Sequence, residues 1–191
     1  MRPDQLSAAA AMAATIVAAA LALTPRAANA HPLDEVIQAA YVTLAPGEVQ
    51  LDLEIQPGSL LAPGVARAID ANSDGRISDG EARVYAKRVL QASSLTFDGV
   101  SAPLRLSRVQ TPSYANLARG DILHIYATAP RRMRAGPAVL RYANGYALPK
   151  SRCQANVFLS VGGGWSFQVD GQSHSPDGRQ LSVAYRVIRG A

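Results

Sequence analysis

The chain has 191 residues, a formal net charge of +5, 48% hydrophobic residues and a single cysteine, Cys153. One cysteine excludes an intrachain disulfide, and the length suits one domain whose core needs no such staple. The basic excess lies in the second half, from Arg131 onward, without the dense run or interleaved aromatics of a nucleic-acid face; nucleic acid is therefore not an expected partner.

Residues 1–30 read as a signal peptide. Arg2 opens it, Ala8 to Leu23 form an Ala-rich apolar stretch, and Ala28-Asn29-Ala30 fits the small-x-small pattern cut by signal peptidase. The apolar run is shorter than the ~20 residues of a spanning helix. These features predict a periplasmic or secreted protein starting at His31, with no transmembrane helix after cleavage. The remaining 161 residues carry 17 basic and 13 acidic side chains.

Residues 31–191 are expected to form one β-rich domain with a helical insertion at 60–91. Val36 to Gln56 reads as a hairpin around Ala45-Pro46-Gly47. In its first strand Ile37, Ala39 and Tyr41 alternate with Gln38 and Ala40; in its second, Val49, Leu51, Leu53 and Ile55 alternate with Gln50, Asp52 and Glu54. A short helix from about Ala62 to Ile69 follows, with Pro63 in its first turn where proline is tolerated. After a polar loop, Ala82, Tyr85, Ala86, Val89 and Leu90 fall on one face of a second, amphipathic helix. From Ser94 onward the pattern returns to strands: Ser94–Phe97, Leu104–Val109, Ile122–Thr128, Ala138–Tyr142, Asn156–Val161, Trp165–Val169 and Leu181–Ile188. Asp98-Gly99, Gly162-Gly163-Gly164, Asp170-Gly171 and Asp177-Gly178 read as turns between them. The fold class predicted is α+β, a mainly antiparallel, β-sandwich-like body with an inserted helix–loop–helix.

The loop between the helices carries the most specific chemistry. Asp70, Asn72 and Asp74 occupy its first, third and fifth positions, Gly75 the sixth, Arg76 the seventh, Ser78 the ninth and Glu81 the twelfth. Calcium takes about six to eight oxygens at loose geometry, and a chain that offers them from alternate positions can wrap the ion. Asp70, Asn72 and Asp74 supply side-chain oxygens, Arg76 its carbonyl, Ser78 a contact through water, and Glu81 both carboxylate oxygens. Gly75 permits the sharp turn between them. The segment from about Leu60 to Leu90 thus resembles the EF-hand family, which implies one bound Ca2+. A bidentate Glu favours calcium over the smaller magnesium. EF-hands usually pair, and no second loop is found: Asp170-Gly171-Gln172-Ser173-His174 has too few acids and no glycine at its sixth place. The free edge at Ile77 is expected to rest on the β domain or on another chain.

Other constellations are less specific. Cleavage would free the α-amine of His31 beside its imidazole, a chelating pair for copper or nickel to which Asp34 or Glu35 could add an oxygen and His124 or His174 a second nitrogen. The His31-Pro32-Leu33 opening, hairpin and EF-type loop also resemble extracytoplasmic segments associated with nickel/cobalt permeases, which implies an envelope or membrane protein as partner. No nucleophile motif such as Gly-x-Ser-x-Gly occurs, and Gly162-Gly163-Gly164 lacks the Lys and Ser/Thr of a phosphate loop; no enzyme is predicted.

Overall fold

A computed structural model describes residues 33–190; the predicted signal peptide and His31 lie outside them. Ten strands build two five-stranded sheets. The first has the order β5 (Arg105–Gln110), β6 (Leu123–Pro130), β2 (Glu48–Pro57), β1 (Val36–Ala45), β8 (Ser151–Leu159). The second runs β4 (Val100–Ser101), β3 (Ser93–Phe97), β7 (Gly136–Asn144), β10 (Gln180–Arg189), β9 (Trp165–His174). Neighbours are antiparallel except β1 and β8, which run parallel. Three helices complete the fold of the described residues: α1 (Ala62–Ile69), α2 (Asp79–Gln91) and the single turn α3 (Tyr114–Leu117).

The predicted hairpin is present, in register from Val36 opposite Pro57 to Ala45 opposite Glu48. Its two-residue turn, Pro46-Gly47, needs the left-handed conformation, and Gly47 adopts φ +85°. Val49, Leu51, Leu53 and Ile55 of β2 face the core as their alternation predicts. The facing of β1 differs from expectation. Val36, Ala40, Val42 and Leu44 join the core cluster, whereas Ile37 and Tyr41 look outward. Gln38 therefore points inward and is fully buried. It is satisfied there: Gln38 Nε2 donates to Ser151 Oγ (2.7 Å) and the Tyr146 carbonyl (3.2 Å), and Asn144 Nδ2 donates to Gln38 Oε1 (2.9 Å). A complete set of partners removes most of the penalty of burying an amide, and with a period of two it turns the whole strand over.

Helices α1 and α2 carry the chain from the first sheet (β2) to the second (β3). Helix α1 buries Ala62, Val65, Ala66 and Ile69, one face at helical spacing, with Pro63 in its first turn. It ends where the Asp70 amide donates to the Ala66 carbonyl (3.0 Å). Helix α2 buries the five residues its periodicity predicts, Ala82, Tyr85, Ala86, Val89 and Leu90. One hydrophobic cluster includes Val65, Ile69, Tyr85 and Val89 of the helices, Leu53 and Ile125 of the first sheet, and Leu140, Val183 and Tyr185 of the second. The helices are thereby fixed on the sheets, and the loop between them is held at both ends. Among the described residues no helix is long and apolar enough to cross a membrane.

Candidate metal centre

The loop between α1 and α2 is drawn together by its own side chains. Asp70 is only 5% exposed; its Oδ1 accepts from the Asp74 amide (3.1 Å) and its Oδ2 from the Gly75 amide (3.0 Å). Asn72 Oδ1 accepts from the same Asp74 amide (3.1 Å), and its Nδ2 donates to Asp74 Oδ2 (3.1 Å). Asp74 Oδ1 accepts from the Arg76 amide (2.8 Å). Gly75 adopts φ +75° and Ser73 φ +60°, so the backbone bends sharply in two places. Ile77 is partly buried and packs on the core cluster.

Ser78 and Glu81 do double duty at the start of α2. Ser78 caps the helix: its Oγ accepts from the Glu81 amide (3.3 Å), while Glu81 Oε2 accepts from the Ser78 amide (3.0 Å) and hydroxyl (2.7 Å). This reciprocal pair is a capping box. The other oxygen, Oε1, accepts from the amides of Ala71 (2.9 Å) and Asn72 (3.3 Å). The twelfth position is thus tied to the second and third, closing the loop on itself. Hydrogen bonds from Ser78, then from Asn72 and Ala71, pull the Glu81 carboxyl down to about 2.

Hydrogen bonds thus link the six predicted positions across the loop and the first turn of α2, but Asp70, Asp74 and Glu81 do not form a group whose ligand atoms all lie within 4.8 Å of one another. Among the described residues, the three side chains able to ligate a metal whose ligand atoms all lie within 4.8 Å of one another are Asp52, Glu54 and His124. They stand on the outer face of the first sheet. Asp52 and Glu54 are two apart on β2, and Glu54 is paired with His124 of β6. His124 Nδ1 lies 3.4 Å from Asp52 Oδ1 and 3.6 Å from Glu54 Oε1. Burial, then the charges of Glu54 and Asp52, push the neighbouring Tyr41 phenol up. The sequence puts Asp52 and Glu54 on one face, but nothing local announces that His124, 70 residues farther on, joins them.

No protein-family model matches this chain, and no curated protein or solved structure matches it with significance.

Proposed function

We propose that the chain binds one calcium ion in the Asp70–Glu81 loop, as a single EF-hand inserted in an exported, β-sandwich-like body. The donor pattern carries this reading: oxygen-bearing residues at positions one, three, five, nine and twelve, the Arg76 carbonyl at seven, and a glycine with positive φ at six. Calcium enters by drawing Glu81 away from part of its amide and hydroxyl set, and that competition keeps the affinity low. A dissociation constant on the order of 10⁻⁴ to 10⁻³ M, as in extracellular modules, fits a periplasmic or secreted protein. The role is structural. Calcium at ten times its dissociation constant adds about 1.4 kcal/mol to stability, which holds α1 and α2 in one orientation for an envelope or membrane partner. Melting curves test this: calcium raises the melting temperature of the parent over that in chelator, and Glu81→Gln removes the increment. Equal curves for the parent in calcium and chelator overturn it.

A second reading rests on a separate observation. One imidazole and two carboxylates on the first sheet suit zinc, copper or nickel, and no Lys or Arg lies within ion-pair distance of Asp52 or Glu54 among the described residues. This site gives the transition-metal alternative a location apart from His31. Zinc or nickel binding that survives Glu81→Gln and is lost in His124→Ala supports it; binding that survives both substitutions removes it.

A further inference from the structure

Arg131 follows β6 directly, anchored by its amide, which donates to the Gly47 carbonyl (2.9 Å). The residue is 8% exposed. Its guanidinium lies over the rings of Tyr185 (5.0 Å), Phe167 (5.3 Å) and Phe97 (5.6 Å), and one nitrogen donates to Met133 Sδ (3.4 Å). No carboxylate is within ion-pair distance; the arginine ion pairs among the described residues belong to Arg152, Arg179 and Arg186. Aromatic faces attract the charge but leave most of the five N–H donors without a strong acceptor. A buried cation in that state is costly unless something pairs with it.

Arg131 and Tyr185 both line a cleft of about 820 Å³ between the end of β6 and strands β3, β4 and β7. That is within the range of small-molecule sites, about 300–1,000 Å³. The Tyr185 hydroxyl is buried against the Arg131 guanidinium, and no hydrogen bond of ordinary geometry satisfies it. Exposed Arg132 and Arg134 stand on the rim, and Phe97, Val100 and Ala102 give the cleft an apolar wall. Asp98 is the acid lining it, with Oδ1 accepting from the Val139 amide (2.7 Å). Three cations against one anion set the sign of the field.

We propose that this cleft binds a small organic anion, an apolar body with a carboxylate or phosphate head that pairs with the Arg131 guanidinium and the Tyr185 hydroxyl. The planar guanidinium fork matches either head in a two-point contact. Calorimetric titration of the full chain in chelator, with octanoate, octyl phosphate and neutral octan-1-ol as probes, tests it. One of the two anions binds at one per chain, and octan-1-ol binds at least about tenfold more weakly, the alcohol lacking the charge the site is built to meet. The better anion identifies the head. Arg131→Met, which keeps the apolar stem, weakens the anion about tenfold or more. Because that buried substitution can compromise folding, two surface changes accompany it. Asp98→Asn preserves the acceptor for Val139 and tightens binding; Arg132→Ala with Arg134→Ala weakens it. Equal binding of octanoate and octan-1-ol, binding of neither anion, or an affinity indifferent to Asp98→Asn and to the rim substitutions overturns the proposal.

Discussion

The Glu81 carboxylate accepts four hydrogen bonds, from the Ser78 amide and hydroxyl and from the Ala71 and Asn72 amides. Its folded pKa is depressed to about 2. A carboxyl depressed on folding contributes stability that is present in full above its unfolded value, near 4.5, and lost as pH falls through the folded one. Glu81→Gln is therefore expected to lower the urea midpoint at pH 7, and the difference from the parent should shrink as pH falls from about 4.5 toward 2. Unfolding curves across that window check it. Asp70 is a different case because it is buried and accepts two loop amides. Asp70→Ala leaves those amides to find other acceptors and is expected to cost about 1–3 kcal/mol at neutral pH, read by urea unfolding in chelator. The donor spacing was legible residue by residue. The self-pairing of the donors was not, because it depends on how far the loop closes without an ion.

At the scale of elements, helix periodicity was the most reliable signal. The five-residue face of α2 and the proline-containing first turn of α1 are both where the pattern put them, since a helix that packs on one side must repeat its apolar residues at its own period. In β1 the alternation of Ile37, Ala39 and Tyr41 points to the wrong face. Ala39 and Ala40 are both buried, Gln38 is buried as well, and a strand with apolar residues on both sides has no clean alternation to read. Its true facing rests on Gln38 finding Asn144, Ser151 and Tyr146 more than 100 residues away. Gln38→Leu strands the Asn144 amide in the core and is expected to cost about 1–3 kcal/mol, measurable by chemical unfolding. Turns provide a matched pair. Gly75 and Gly178 have similar dihedrals, φ +75° and +70°, yet a Cβ at Gly75 meets open space while one at Gly178 falls 2.0 Å from the Cys153 carbonyl oxygen. Gly75→Ala is expected to cost about 1–2 kcal/mol, the left-handed penalty alone. Gly178→Ala is expected to cost more than about 4 kcal/mol or to prevent folding, because the β9–β10 turn can no longer lie against β8. Parallel thermal melts of the two variants separate them.

Across the whole molecule the chain alternates between sheets, β1 and β2 in the first, β3 and β4 in the second, β5 and β6 in the first again. Most strands were readable from composition and turn residues, but β4 was missed, β8 starts five residues before its predicted Asn156, and Asp170-Gly171, expected to turn, lies inside β9. Sheet membership and the parallel pairing of β1 with β8 were not readable at all. Both are settled by packing between segments far apart in sequence. The same long-range placement brings His124 to Asp52 and Glu54, and Arg131 to Tyr185. Both constellations are invisible to motif reading for that reason. The loop proposed to bind calcium occupies the crossover between the sheets, so an ion bound there would act on the only helices that join one sheet to the other among the described residues. Calorimetric titration of calcium into metal-free protein at neutral pH tests this placement most directly. One ion per chain should bind, with a dissociation constant on the order of 10⁻⁴ to 10⁻³ M, and the binding should disappear in Glu81→Gln and persist in His124→Ala. No saturable binding at millimolar calcium, or binding that persists in Glu81→Gln and disappears in His124→Ala, would contradict it.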